Sequence, residues 1–198
     1  MRPFTTRRSG EHLVCRPGCT QCCYGAFAVS PLDAMRLRAG MAELTANDPQ
    51  RASHVAERAR LYLTEHGSSF PGNRSTGILD VGEGTQEAFE TFANDAPCPA
   101  LDVGTGLCDL YSARPMTCRV FGPPVRTEPD SDADTECEES LAVCELCFTH
   151  ATPEDVRACE MKVPHEEEED LLEKLLASEP DCTGDTIVAF CLIPLTSS

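Results

Sequence analysis

Thirteen of the 198 residues are cysteine, and they fall in blocks. The first block reads Cys15-x3-Cys19-x2-Cys22-Cys23, with Pro17 and Gly18 bending the chain between its first two thiols. Cys98, Cys108 and Cys118 make a second block, beyond 74 residues that contain no cysteine. Cys137, Cys144, Cys147 and Cys159 make a third, followed by Cys182 and Cys191. Thiolates two or three residues apart converge on one ion or cluster when a turn lies between them, so metal ligation is the chemistry this spacing suits. A lone cysteine is ordinarily a small buried hydrophobe, but four in nine residues fit that reading poorly. Adjacent Cys22 and Cys23 are expected to diverge and to face different metals.

The ten-residue spacings of the second block suit a loop or hairpin that brings each thiol to one centre. Arg114 and Arg119 stand where they can offset thiolate charge and lower a thiol pKa, although an ordinary surface ion pair explains them equally well. In the third block Cys144-x2-Cys147 is a ligand pair by spacing, preferred to Cys137, which sits among acids. His150 reads as a surface histidine, and Cys182 and Cys191 read as structural. C-x3-C-x2-C is also the spacing of radical-SAM enzymes, but no apolar strand precedes Cys15 as their barrel requires. The segments ILDVGEGT (78–85) and LDVGTG (101–106) look like methyltransferase glycine loops. Each is better read as a glycine-rich turn.

Together, Cys15-x3-Cys19-x2-Cys22-Cys23 and the run Cys98-Pro99, Cys108-x2-Tyr111, Arg114-Pro115-x2-Cys118-Arg119 resemble the YkgJ-type cysteine-cluster proteins, also described as zinc- or iron-chelating domains. The resemblance covers residues 15–126 firmly and the remainder loosely. It implies about eight metal-ligating cysteines. Seven map onto Cys15, Cys19, Cys22, Cys23, Cys98, Cys108 and Cys118, and the eighth is to be sought after Cys118. The family includes a flagellin lysine N-methylase, so an enzymatic role enters by analogy.

Helices and turns must position these thiols. Ser30-Pro31-x-Asp33 is an N-terminal capping pattern, and Ala34, Leu37, Met41 and Leu44 follow at helical spacing despite Gly40. Asp48-Pro49 opens a second helix, with Ala52, Val55, Ala56, Ala59, Tyr62 and Leu63 as its apolar stripe and Gly67 as its C-cap. A short helix is expected at 86–92, and residues 98–125 are expected to form hairpins and turns rather than helix. Thr152-Pro153-Glu154-Asp155 starts a short helix containing Cys159. Acids at 166–170 precede Leu171, Leu172, Leu175 and Leu176, marking another helix start. Residues 186–193 (TIVAFCLI) read as a buried strand.

Net charge is −17 and entirely carried by residues 127–198, which hold 20 acids against three bases. That argues against nucleic acid or an anionic membrane as partner, and suits a basic protein partner for the acidic part. No apolar run approaches a membrane span and no secretory signal opens the chain, so a cytoplasmic, reducing setting is expected. The expected fold is a small, irregular α+β single domain organised around a cysteine/metal cluster, with N-terminal helices and a C-terminal helix plus strand. Its expected layout is a flexible tail at 1–14, then a metal-binding domain at 15–198 with an acidic mobile loop at 127–139. The expected function is holding zinc or iron, as an ion or an iron–sulfur centre, through Cys15, Cys19, Cys22, Cys23, Cys98, Cys108, Cys118, Cys144 and Cys147. The alternatives are an iron–sulfur redox protein, a protein lysine methylase, and a structural zinc module with an acidic docking surface.

Overall fold

A computed structural model describes residues 10–14, 16, 18–126, 141–179 and 183–193. In chain order its elements are α1 (Pro31–Asn47), α2 (Pro49–His66), β1 (Gly72–Asn73), β2 (Ile78–Leu79), α3 (Glu83–Glu90), β3 (Leu101–Asp102) and β4 (Leu107–Cys108). Then follow α4 (Met116–Val120), β5 (Val125–Arg126), β6 (Leu141–Ala142), α5 (Pro153–Ala158), α6 (His165–Ser178) and α7 (Val188–Cys191). The strands pair as three antiparallel two-stranded ribbons, which makes the fold α+β. No helix among the described residues is long and apolar enough to cross a membrane. The chain divides into two units, Pro17–Met116 with Glu167–Ser198 and Met1–Arg16 with Thr117–Glu166.

The larger unit is built on the two expected helices. The Ser30 hydroxyl accepts the Asp33 N–H at 3.4 Å, and the Asp48 carboxylate accepts the Arg51 N–H at 3.1 Å, so both N-termini are capped as read. Ala34 and Leu37 of α1 and Val55 and Ala59 of α2 are buried in one cluster with Val29, Ala100, Leu110 and Ala113. Gly40, which weakens α1 by propensity, lets the two segments approach: a Cβ there would lie 2.3 Å from the Ala113 Cβ. A second cluster gathers Tyr62, Phe70, Phe92, Ile187 and Phe190, with Phe70 edge-on to both Phe92 and Phe190.

Two segments depart from the reading. Residues 186–193 are extended only at their start, where the Thr186 backbone exchanges hydrogen bonds with Val29 at 2.8 and 3.0 Å and Ile187 is still extended, and then turn helical as α7. A helical turn sends Val188 and Cys191 into the first cluster and Ala189 and Phe190 into the second, which an alternating strand in a two-residue ladder does not achieve. Residues 98–125 contain the β3–β4 hairpin, as expected, but also helix α4. Its Met116 N–H donates to the buried Asp33 carboxylate at 2.6 Å, a cap supplied from 83 residues away and invisible to local pattern.

In the smaller unit β5 pairs with β6, and Arg126 makes a two-pronged contact with Glu160 at 3.0 and 2.8 Å. Thr152 and Asp155 form the expected capping box on α5, and Cys159 is its C-cap rather than an interior residue. The unit's buried cluster is small: Cys147, Phe148 and Cys159, with Leu13, Cys144, Ala151 and Val156 packed against it. Of the expected tail, residues 1–9 lie outside the described residues, and Gly10–His12 forms a 3₁₀ turn. The acidic segment 127–139, including Cys137, also lies outside them, as do Cys15 and Cys182.

Candidate metal centre

A short antiparallel stitch joins the first two cysteine blocks in the larger unit. Tyr24 bridges Pro97, the Gly25 N–H donates to the Ala96 carbonyl at 3.0 Å, and the Cys98 N–H donates to the Cys23 carbonyl at 2.7 Å. These backbone bonds lock the register, so the 74-residue gap closes at the cysteines themselves. Cys22 and Cys23 belong to a 3₁₀ turn, Gln21–Cys23, closed by the Cys23 N–H on the Thr20 carbonyl at 2.8 Å. The hairpin tip at Gly106, with φ +69°, comes so near Gly18 that a Cβ there would stand 3.2 Å from the Gly18 Cα. Only glycine holds that left-handed conformation without strain. Below the tip, Asp102 accepts the Gly104 N–H at 3.0 Å and the Thr105 hydroxyl at 2.8 Å, so residues 101–106 form the expected glycine-rich turn.

Helix α2 holds the second block from behind. Arg58 Nε donates to the Pro99 carbonyl at 2.9 Å, beside Cys98, while Arg58 Nη2 and Arg51 Nε both donate to the Asp109 carboxylate, beside Cys108. The Asp109 side chain is 6% exposed, against 28% for Arg58 and 46% for Arg51. One guanidinium therefore links the Pro99 carbonyl, next to Cys98, to the Asp109 side chain, next to Cys108. Cys98 and Cys108 themselves pack against the cluster formed by α1 and α2.

The thiols of the two blocks influence one another's ionisation. The Cys22 thiol is lowered to about 6, chiefly because Cys23 donates a hydrogen bond to its sulfur, with Arg114 adding to the effect. The same bond raises Cys23, helped by desolvation and by the negative charge of Cys22, Cys98 and Cys108. Burial raises Cys98 to about 12 and raises Cys108 as well, the latter opposed by Arg114. Thiolates that oppose one another's ionisation are relieved by a cation between them. An interaction between the adjacent Cys22 and Cys23 thiols is thus the largest cause of both shifts. Arg114 lies over the Tyr111 ring at 3.7 Å and acts on thiols as the sequence suggested.

Cys19 lies half-buried beside Gly18 in the same unit. Cys118, on α4, belongs with Cys144 and Cys147 to the smaller unit. His150 is exposed, and Cys191 is buried with its Sγ 3.6 Å from the Ile187 carbonyl, both as expected. Among the described residues no three His, Cys, Asp or Glu side chains already close on one point, so an ion would have to draw the thiols together. The clamp of Arg51, Arg58 and Asp109 escaped the sequence reading, because nothing local distinguishes two arginines on an amphipathic helix from solvated ones.

The CxxCxxCC family, described as a "putative zinc- or iron-chelating domain", matches residues 14–147. This chain belongs to that family. The matched span takes in every cysteine from Cys15 to Cys147 and ends before Cys159. No curated protein and no solved structure matches the chain.

Proposed function

We propose that the protein binds zinc or iron through thiolates contributed jointly by its first two cysteine blocks. Cys19, Cys22, Cys23, Cys98 and Cys108, all described in the larger unit, are the candidate ligands. The observation that supports this most is the backbone stitch that sets Cys98 against Cys23, at the point where the motif spacing asks for convergence. The donor set fits the group: thiolate sulfur is the ligand preferred by zinc and by iron–sulfur centres, and oxygen-seeking ions such as magnesium and calcium are disfavoured. Cys22 is ready to bind at neutral pH because its thiol ionises early. When bound, the metal supplies positive charge that cancels thiolate repulsion and cross-links the two blocks.

The chain's own residues hold the ligands in place. Arg58 holds the Pro99 carbonyl beside Cys98 and the Asp109 carboxylate beside Cys108, and Arg114 supplies a counter-charge to Cys22 and Cys108. Anaerobic purification followed by elemental analysis and absorption spectroscopy tests the reading. A brown, iron-containing protein identifies the iron–sulfur form and a colourless, zinc-containing one the zinc form. Protein that takes up neither metal in stoichiometric amount would falsify the proposal.

A further inference from the structure

We propose that the smaller unit carries a second, separate metal centre, whose thiolates are Cys144, Cys147 and Cys159. This rests on the reading of the protein as a thiolate metal binder, and it adds a ligand, Cys159, that lies beyond the residues matched by the family.

The first observation is the make-up of the unit's core. The buried side chains of this unit's apolar cluster are Cys147, Phe148 and Cys159, and the thiols are 4% and 8% exposed; Pro123 and Pro124 are buried elsewhere in the unit. Cys144 packs against the same cluster. Three of the seven residues in and around this cluster are therefore cysteines. Small units with so little apolar burial are ordinarily held by a disulfide or a metal, and here the thiols stand where a core belongs.

The second observation is local backbone geometry. The Cys147 N–H donates to the Cys144 carbonyl at 2.8 Å, closing a tight turn that brings the two thiols of a C-x2-C pair to one side. Cys159 is presented at the C-cap of α5, where its N–H is held by the Asp155 and Val156 carbonyls, each at 3.1 Å. The capping box of Thr152 and Asp155 fixes where that helix starts, and hence where Cys159 falls. A turn and a helix end thus supply a pair and a single ligand; the three thiols as placed do not yet close on one point, so the ion would have to draw them together.

A closed zinc site needs a fourth donor, and two described residues of the same unit can give one. Cys118 is a further thiol. His12 stacks on Phe148 at 5.6 Å between ring centroids, and its carbonyl accepts the Phe148 N–H at 2.9 Å, so its ring lies beside the cluster.

The test uses the full chain, stripped of metal under reducing, oxygen-free conditions and titrated with Zn²⁺ alone. Pulsed alkylation with peptide mass analysis then follows each thiol. Cys144, Cys147 and Cys159 are expected to lose reactivity together, each by more than about tenfold, because binding and local folding are one event. Cys159→Ser is expected to remove one equivalent of Zn²⁺ while Cys98 and Cys108 remain protected. If Zn²⁺ protects Cys98 and Cys108 but leaves Cys159 unchanged, the second centre is wrong and the first stands. If Cys159→Ser also strips protection from Cys98 and Cys108 in a chain that keeps its native circular dichroism, the two centres are one and the inference fails. Protection of Cys147 and Cys159 that is present before Zn²⁺ and removed by reductant means a disulfide, which also overturns it. Absence of any Zn²⁺ uptake overturns both this inference and the proposed function.

Discussion

Replacing Arg58 with Lys tests whether the clamp behind the second block sets metal affinity. Arg58 reaches two acceptors at once, the Pro99 carbonyl at 2.9 Å and the Asp109 carboxylate, through two different guanidinium nitrogens. An ammonium keeps the charge but is a single point and cannot span both. Hydrogen bonds to charged groups contribute about 1.5–3 kcal/mol net, and Arg58 is 28% exposed, so the lower part of that range applies. Losing one of two such contacts should cost about 1–2 kcal/mol. Cys98 and Cys108 flank the two acceptors, so this loss falls on the ligand arrangement and weakens metal binding by a factor of about 5–30. Competition with a chromophoric chelator, using Zn²⁺ on the full chain, measures it directly. Arg60→Lys is the control, because Arg60 lies on the same helix, is 55% exposed and pairs with the exposed Glu57. If Arg58→Lys binds Zn²⁺ as tightly as Arg60→Lys, the clamp has no role in presenting the ligands.

Three further outcomes follow from particular contacts. In metal-free protein the alkylation rate of Cys22 should rise through a midpoint near pH 6, since its thiolate is held by the Cys23 hydrogen bond, and Cys23→Ala should move the midpoint upward; a parent midpoint at the ordinary thiol value of about 8.5 contradicts the pairing. Gly40→Ala gains about 1 kcal/mol of helix propensity but drives a methyl into Ala113, so the urea midpoint should fall, whereas a rise means the contact is loose. Thr152→Ala removes the cap of α5 and should cost about 1 kcal/mol, with faster hydrogen exchange at residues 153–159; unchanged exchange there means the capping box does not hold the helix.

Local signals were legible from sequence where the physics is local. Both long helices begin at Ser30 and Asp48 because capping oxygen and first-turn proline lie within three residues of each other. The capping box at Thr152 reads equally well. Legibility ended where the partner is remote. The Met116 N–H at the start of α4 finds its acceptor in the distant Asp33, and the rotation of 188–191 into a helical turn depends on having two clusters to fill. Within the site, spacing marked the cysteines, but their mutual placement comes from the stitch between 23–25 and 96–98, which no spacing encodes. The Arg58–Asp109 clamp was hidden for the same reason: its value lies in which carbonyl stands beside it, 41 residues away.

The central claim is that the first two cysteine blocks share metal, and a double-variant stoichiometry addresses it most directly. Metal content per chain is measured for the parent, Cys23→Ala, Cys98→Ala and the double variant, each purified without oxygen and checked for native circular dichroism. A shared centre predicts that each single variant loses the same equivalent and that the double variant loses no more, since either change opens the same ligand set. Losses that add in the double variant, or a Cys98→Ala protein that keeps its full metal content, contradict it.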